Sequence, residues 1–218
     1  MTAYRATFST RANTAWRHFL GTWVNQLGNA YLYSWATRNL ERRARGRSLS
    51  VLDAACGDGI LLRYLPARHR YVGIDFSSRP LLCAQRFRPA SYFRADLNHL
   101  PFPDGTFDAV VSLQALQYLS KPAQALAQIA RVLKPGGSLV LTVPNDESLK
   151  YRFLGIPKIQ LQRFNRRSLP EMLGHHFKIL DLATRGLWLP APKVSFHVPG
   201  IYPVRWGLSW TVVAEPKK

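Results

Sequence analysis

The sequence predicts an α/β fold in which a mostly parallel sheet is flanked by helices. Between about residues 48 and 145, apolar strand-like runs alternate with helix-like stretches, which is the pattern of βα units. The first run, Val51–Leu52, enters a turn that contains Gly57 and Gly59 and opens a helix. A strand, a glycine turn and a helix in this order form a nucleotide-binding corner. The dinucleotide fingerprint G-x-G-x-x-G is absent, so a dinucleotide ligand is not predicted.

The next two strands end in residues that suit an adenosine ligand. Tyr71–Asp75 is apolar and ends in an acid, and acids at this position of Rossmann-like folds bind ribose hydroxyls. The same acid also precedes a helix-like stretch, so it is equally suited to a helix N-cap. The third strand, Ser91–Ala95, ends at Asp96 and Leu97, which can bind an adenine amino group and cover its ring.

Two further strands complete the predicted core. The fourth follows a Pro/Gly turn within Leu100–Ser112. The fifth, Ser138–Val143, follows a helix that ends in Arg131–Gly137, where the glycine pair is predicted to form the helix C-cap.

This ordered set of motifs resembles the class I S-adenosylmethionine-dependent methyltransferases, in particular the type 11, quinone-biosynthesis-like group. The first motif of that family reads D-x-G-x-G-x-G, and Ala55 stands here in place of its first glycine. The resemblance implies a Rossmann-like sheet of seven strands in the order 3-2-1-4-5-7-6, with strand seven antiparallel, and S-adenosyl-L-methionine as cofactor. The residues that it implies for cofactor binding are Asp53, Ala55, Gly57, Gly59, Asp75, Phe76, Asp96, Leu97, Ser112 and Leu113.

The length of 218 residues fits a single domain. We expect a helical cap over 1–47, the cofactor-binding core over 48–144, and an acceptor-side insert with the last two strands over 145–218. Within the last part, the predicted elements are a helix at Ser168–His175 capped by Ser168 and Glu171, strand six at Lys178–Thr184, a long Pro-rich loop at Leu189–Pro203, and strand seven at Leu208–Ala214.

The N-terminal segment has aromatic residues at helical spacing and no acid among its first forty residues. Three interpretations remain open for it. It is a helix that packs on the core and covers the cofactor, a helix on a membrane surface, or an Arg-rich transit peptide. The basic run from Arg38 to Arg47 favours a solvated helix C-terminus over a phosphate-binding patch.

The net charge of +18 is concentrated in the two flanking parts, and all six tryptophans lie outside the core. A basic field attracts anions such as RNA, an acidic membrane surface or a phosphorylated acceptor, while a general solubility bias explains the charge equally well. The insert interleaves basic and aromatic residues, which suits nucleic acid or a pocket for an aromatic or lipid acceptor.

No general base is evident, because Gln117 stands where relatives often have histidine. The catalytic candidates are therefore Gln117, Tyr118 and His197. The candidates for acceptor binding are Trp16, Trp23, Tyr31, Gln114, Tyr118 and Phe153.

The expected activity is methyl transfer to a small, largely apolar or aromatic acceptor. An RNA methyltransferase and a non-catalytic S-adenosylmethionine-binding relative are the alternatives. No Asn/Asp-Pro-Pro-Tyr motif follows strand four, and no cysteine ends a strand on the acceptor side, which disfavours two kinds of nucleobase methylation. We expect no metal site and no transmembrane segment. The two cysteines indicate a reducing, cytoplasmic setting, with peripheral membrane attachment left open.

Overall fold

The computed structural model describes residues 15–85, 90–155, 159–189 and 196–217. It is a mixed sheet of eight strands with helices on both faces. The strands are β1 (Ser50–Ala54), β2 (Arg70–Asp75), β3 (Ser91–Arg94), β4 (Phe107–Leu113), β5 (Leu133–Pro144), β6 (Phe177–Leu189), β7 (Phe196–Tyr202) and β8 (Gly207–Pro216). The helices are α1 (Ala15–Ala44), α2 (Leu61–Tyr64), α3 (Ser78–Ala84), α4 (Pro122–Val132), α5 (Leu149–Leu154) and α6 (Ser168–Gly174), with a 3₁₀ turn at Leu116–Tyr118.

The strand order is β3-β2-β1-β4-β5-β8-β6-β7. Strands β1 to β5 pair in parallel, and β8 pairs antiparallel with both β5 and β6. The predicted strands six and seven correspond to β6 and β8, so the predicted order and the antiparallel last strand are confirmed. The sheet has one strand more than predicted, because β7 pairs with β6 at the edge.

The extra strand corrects the prediction of a long loop at Leu189–Pro203. Residues 196–202 of that stretch extend β6 as a hairpin partner, with Leu189 opposite Phe196. The prolines suggested a loop, yet an edge strand tolerates proline because one row of its N–H groups needs no partner.

Two predicted helix ends are also corrected. Helix α4 ends at Val132, and the glycine pair lies inside β5 rather than at a helix C-cap. Helix α6 begins at Ser168 and its N-cap is Arg167, so Ser168 is not the cap. Asn165 holds the preceding turn, because its Oδ1 accepts hydrogen bonds from the backbone N–H groups of Arg167 and Ser168, both at 2.9 Å. The Ser168 hydroxyl in turn accepts a hydrogen bond from the Asn165 N–H at 3.1 Å.

Helices cover the sheet in two layers. On one face, Trp35, Ala36 and Leu40 of α1 pack with α2 on Val51, Val111 and Val140. On the other face, α4 and α6 pack on Leu52, Val110 and Leu141. Helix α1 is therefore a core-packing helix where its side chains are described. No helix among the described residues combines the length and hydrophobicity needed to cross a bilayer.

The parallel register places the ends of four strands at one edge of the sheet. Leu52 lies opposite both Val72 and Val110, and Leu113 lies opposite Thr142. Residues that follow β1, β2, β4 and β5 therefore meet at this edge, which we call the carboxyl edge. Ligands of open α/β sheets bind outside this edge.

Candidate active site

The turn after β1 has an unusual backbone. Ala55, Gly57 and Gly59 have φ angles of +69°, +55° and +74°. A Cβ added to Gly57 would meet no atom within 4 Å, so open space faces the loop there. Ala55 adopts a conformation that disfavours a side chain, and such strain occurs preferentially at functional sites. The loop thus presents backbone to open space, as a ligand cradle requires.

Asp75, at the end of β2, is tied to this loop. Its Oδ2 accepts a hydrogen bond from the Gly57 N–H at 2.9 Å, and its Oδ1 accepts from the Ser77 N–H at 2.8 Å. Each carboxylate oxygen can accept more than one hydrogen bond, so capacity for ligand hydroxyls remains. Asp75 orders the turn before α3 and also faces the glycine loop. A structural role at the start of the helix and the predicted role in ribose binding are therefore compatible.

Asp53 is the most deeply buried acid at this edge, with 4% of its surface exposed. Its Oδ2 accepts a hydrogen bond from the Tyr71 hydroxyl at 2.7 Å. The pKa of Asp53 is raised to about 7, mainly by burial and also by the neighbouring Asp75 and Asp58, while the hydrogen bond from Tyr71 lowers it in part. A cation bound nearby would favour the ionised carboxylate.

Tyr33 of α1 was not singled out from the sequence, although it reaches the same acids. Its ring stacks on Tyr64 with centroids 5.6 Å apart. Burial raises the pKa of Tyr33, and the charges of Asp53 and Asp58 add to this effect. Ala36, one helical turn further on, is fully buried against the core. The helical spacing of apolar residues along α1 is therefore the sequence signal that could have indicated that Tyr33 points inward.

The residues after β3 include Asp96 and Leu97, which the family resemblance implies for adenine binding. Leu97 is buried, and the Asp96 Oδ1 accepts from the Asn98 N–H at 2.8 Å. Phe76 is partly exposed, and the Arg94 guanidinium lies 5.5 Å from its ring centroid. Phe76 follows β2, whereas Asp96 and Leu97 follow β3, and these two strands are neighbours in the sheet.

The end of β4 is strained and well anchored. Gln114 has a φ of +55°, and its backbone N–H donates to the Thr142 carbonyl at 2.9 Å. Its side-chain amide nitrogen donates to the hydroxyls of Thr142 and Ser209, each at 3.2 Å. Ser112 is fully buried, and its hydroxyl has no hydrogen-bond partner in the part of the chain that the structure describes. Leu113 packs against the core cluster that contains α1 residues. Gln114 therefore fixes the strand end, and its amide nitrogen is already engaged.

A group of polar side chains lies under the insert, where β4 and β5 end. We call it the carboxyl-edge cluster, and it consists of Gln117, Tyr118, Asp146, Tyr151 and Gln160. The backbone carbonyl of Gln117 accepts hydrogen bonds from the backbone N–H groups of Leu161 and Gln162 at 2.8 and 3.1 Å, which holds the insert against the 3₁₀ turn. The Gln160 amide donates to the Tyr151 hydroxyl at 3.3 Å, and Tyr118 and Asp146 both act electrostatically on Tyr151.

Several polar atoms of this cluster are buried without a partner among the described residues. They are Oε1 of Gln117, Oε1 of Gln160 and both carboxylate oxygens of Asp146. Buried polar groups are normally hydrogen-bonded, so a concentration of unsatisfied ones suggests that a ligand completes them. Asp146 was not singled out from the sequence.

The other predicted acceptor residues are not brought into this cluster. Tyr31 accepts a hydrogen bond from Arg185 of β6 at 3.5 Å, and Phe153 is 74% exposed. Trp16 and Trp23 lie in α1 and His197 lies in β7, but their side chains are outside the described residues.

A basic cleft of about 530 Å³ lies beside the cluster. Its lining includes Arg152 of α5, Arg205, the partly exposed Trp206, and Arg166 with its partner Glu147. Arg166 and Glu147 form an ion pair at 3.6 Å. The cleft combines positive charge with one accessible aromatic ring.

The glycine loop and the acids at the carboxyl edge fit S-adenosylmethionine. The open space at Gly57 accommodates a ligand against the backbone, and the acids suit its cationic groups. Asp75 suits the ribose, and Asp96 with Leu97 suits the adenine. Within the described residues, no group of three or more histidine, cysteine or acidic side chains is arranged to hold a metal ion.

The comparisons with known proteins agree with this geometry. The family described as "Methyltransferase domain" matches residues 52–141. A malonyl-[acyl-carrier protein] O-methyltransferase of Erwinia pyrifoliae is 36% identical over 115 residues, which cover 52% of this chain and 44% of the relative. A demethylmenaquinone methyltransferase of Renibacterium salmoninarum is 41% identical over 93 residues, covering 42% of this chain and 39% of the relative.

Among solved structures, a SAM-dependent methyltransferase of Thermotoga maritima superimposes with a TM-score of 0.65 at 19% identity. The superposition covers 92% of this chain and 97% of that one, and at this identity it establishes the fold. The chain spans less than half the length of the two curated relatives. The stretch 52–141, with the cradle built on β1, β2 and β4, belongs to the S-adenosylmethionine-dependent methyltransferase family, whose cofactor is S-adenosyl-L-methionine.

Proposed function

We propose that this protein transfers the methyl group of S-adenosylmethionine to a small, largely apolar or aromatic acceptor that carries a polar group. The observation that supports the acceptor class is the carboxyl-edge cluster. Its unsatisfied side-chain oxygens lie beneath the insert beside the rings of Tyr118 and Tyr151, and the backbone carbonyl of Gln117 holds the insert in place. Because these oxygens can only accept hydrogen bonds, a buried group of this kind beside aromatic rings suits a ring that carries a hydroxyl donor better than a polymer.

When bound, the cofactor supplies an electrophilic methyl group on a sulfonium. The chain's own residues would hold and orient the two reactants. Asp75 and the glycine loop would fix the adenosine end, and Asp53 would favour the positive end by its charge. Gln114, anchored to β5 and β8, would keep the wall between cofactor and acceptor rigid. Holding the reacting atoms near attack distance can supply roughly 7–11 kcal/mol of the barrier.

RNA is a second candidate acceptor, because the basic cleft carries Arg152, Arg205 and the exposed ring of Trp206. Single-stranded nucleic acids bind to such combinations through phosphate contacts and base stacking. Against this, Phe164, which belongs to the basic and aromatic run of the insert, is fully buried in the core and cannot stack on a base.

A labelled-methyl assay separates these acceptors. The protein would be incubated with S-adenosylmethionine labelled in the methyl group, and with either total RNA or a small-molecule extract of the source cell. We expect label only in the small-molecule fraction. Label confined to RNA would overturn the small-molecule assignment, and cofactor binding without any transfer would favour a non-catalytic relative.

RNA binding has its own signature in the salt dependence. If RNA is the acceptor, log affinity falls with log salt by about 0.7 per phosphate contacted. Replacing Arg205 in the cleft by alanine should then reduce the slope by about that amount. Arg70, exposed at the start of β2 on the opposite edge of the sheet, provides the matched control. Equal slopes for Arg205→Ala and Arg70→Ala would indicate nonspecific adhesion rather than a site.

We also propose a reducing, cytoplasmic setting for the reaction. Both cysteines are free thiols, with Cys56 buried beside the glycine loop and Cys83 exposed on α3. An exposed free thiol persists most readily where disulfides are kept reduced. Thiol-specific labelling of Cys83 in freshly opened cells tests this setting.

A further inference from the structure

Asp146 is an isolated carboxylate in the acceptor half of the carboxyl edge. It lies two residues beyond the end of β5, and its backbone N–H donates to the Phe164 carbonyl at 3.1 Å. Both of its carboxylate oxygens are inaccessible to solvent, and neither accepts a hydrogen bond from the described residues. Leaving a buried carboxylate unsatisfied is costly, so its retention calls for a physical reason.

The strand register brings Asp146 close to the predicted catalytic residues. Leu113 of β4 pairs with Thr142 of β5, so the residues that follow these two strands share one edge. Tyr118 follows β4, and it acts electrostatically on Tyr151 of α5, as Asp146 does. Asp146 therefore lies at the same edge as Gln117, whose side-chain Oε1 is buried without a partner among the described residues.

We propose that Asp146 is the proton acceptor for a hydroxyl group of the substrate. This inference rests on the proposed methyltransferase function and assigns the base that the sequence did not reveal. Asp146 would accept a hydrogen bond from the substrate hydroxyl and orient its oxygen toward the cofactor side of the edge.

The chemistry balances with the groups named. The acceptor O–H bond breaks, and its proton passes to a carboxylate oxygen of Asp146. The acceptor oxygen uses its electron pair to bond the methyl carbon, whose bond to sulfur breaks with the pair retained by sulfur. The proton passes from Asp146 to bulk water only after the product has left and water has reached the carboxylate, which restores the ionised form.

The groups that face Asp146 tune it for this task. Its pKa is raised to about 6, chiefly by burial and to a smaller extent by adjacent Glu147. The Arg163 side chain and the Phe164 backbone on the facing segment lower it in part. Such a carboxyl is ionised at pH 7.5 and is a stronger base than an ordinary aspartate, as general base catalysis favours.

The test compares wild type, Asp146→Asn and Asp104→Asn in a labelled-methyl assay. Asp104 is a matched control because it is an exposed carboxylate that pairs with Arg131 at 2.7 Å, far from the carboxyl edge. The acceptors would be a panel of phenols and hydroxyquinones, which must lose a proton, and long-chain carboxylic acids, which are already ionised at pH 7.5.

For a hydroxyl acceptor, we expect Asp146→Asn to lower kcat/KM by about 10²–10⁴-fold and to abolish the acidic limb of the wild-type pH profile, which should lie near pH 6. Transfer to carboxylic acids, where it occurs, should be unchanged. Calorimetric affinity for S-adenosylmethionine should be equal in all three proteins. A rate within threefold of wild type with the same pH profile would overturn the proposal.

A direct titration covers the case in which no panel member is methylated, which would count against the proposed acceptor class. Carbon-13 NMR of the Asp146 carboxyl in wild type, assigned with Asp146→Asn, should show a midpoint near pH 6. A midpoint near the ordinary value of about 4 would overturn the assignment of Asp146 as a base.

Discussion

Replacing Asp75 by alanine should weaken S-adenosylmethionine binding about 100-fold. Hydrogen bonds to a charged group contribute about 1.5–3 kcal/mol each, and two ribose hydroxyls would give about 3–6 kcal/mol. Asp75 is only half-buried, so the lower end applies, and about 3 kcal/mol corresponds to roughly 100-fold in Kd. Isothermal titration calorimetry measures this directly.

The same substitution removes two internal contacts, because Asp75 accepts from the N–H groups of Gly57 and Ser77. A loss of affinity alone could therefore reflect a disordered glycine loop. Binding of adenosine and 2′-deoxyadenosine to both proteins separates these causes. Wild type should prefer adenosine by about tenfold, which is one such hydrogen bond, and Asp75→Ala should show no preference.

The outcome that refutes the assignment is specific. If Asp75→Ala binds S-adenosylmethionine as wild type does, Asp75 is not a ligand. If it binds weakly but keeps the preference for adenosine, Asp75 acts only on the loop and another residue holds the ribose. Asp104→Ala, which alters an exposed carboxylate away from the site, should behave as wild type in both measurements.

Two further perturbations follow from the structure. The pKa of Asp53 is raised to about 7, and the ligand is cationic, so the ionised carboxylate should bind it more tightly. Affinity for S-adenosylmethionine should therefore rise about tenfold from pH 6 to pH 8, with proton release on binding. Calorimetry should show no such pH dependence for Asp53→Asn. Gly207→Ala would place a Cβ 2.4 Å from the Thr184 Cβ, and thermal unfolding should show a fold destabilised by about 1–3 kcal/mol. Gly174→Ala is the control, because a Cβ there meets nothing within 4 Å and should not destabilise the fold. Equal unfolding midpoints for the two variants would contradict the packing argument.

The strand order, and the meeting of the cofactor-binding candidates at one edge of the sheet, were predictable because their signals are local. Each strand there is a short apolar run that ends in a chemically distinctive residue, as at Asp53, Asp75 and Asp96. The order of such runs along the chain, together with the family resemblance, determines which ends share an edge. Only the residue-level contacts with the cofactor remain predictions.

The predictions that were wrong concern features that depend on residues distant in the sequence. Strand β7 is proline-containing and exists because β6 offers it an edge. Ser168 suits a helix N-cap by its residue type, yet it is the first helical residue, and Asn165 holds the turn before it by hydrogen bonds. Asp146 lies near the carboxyl end of a strand, as Asp53 and Asp75 do, but only the fold shows that its carboxylate oxygens are buried and have no hydrogen-bond partner among the described residues.

The placement of the acids gives the basic chain a single anionic region. The sequence has 12 acidic residues against a net charge of +18. Away from the carboxyl edge, most acids are neutralised within the described structure, as in the ion pairs of Glu41 with Arg68, Asp108 with Lys134 and Glu215 with Arg43.

At the carboxyl edge the pattern reverses. Asp53, Asp75, Asp96 and Asp146 form no ion pair with a lysine or arginine among the described residues, although basic residues are abundant. A chain with so large a positive excess would repel a cationic ligand over most of its surface. Four carboxylates that form no ion pair with a lysine or arginine would provide the attraction that a sulfonium cofactor needs, and we propose that Asp146, the one nearest the insert, takes a proton from the acceptor.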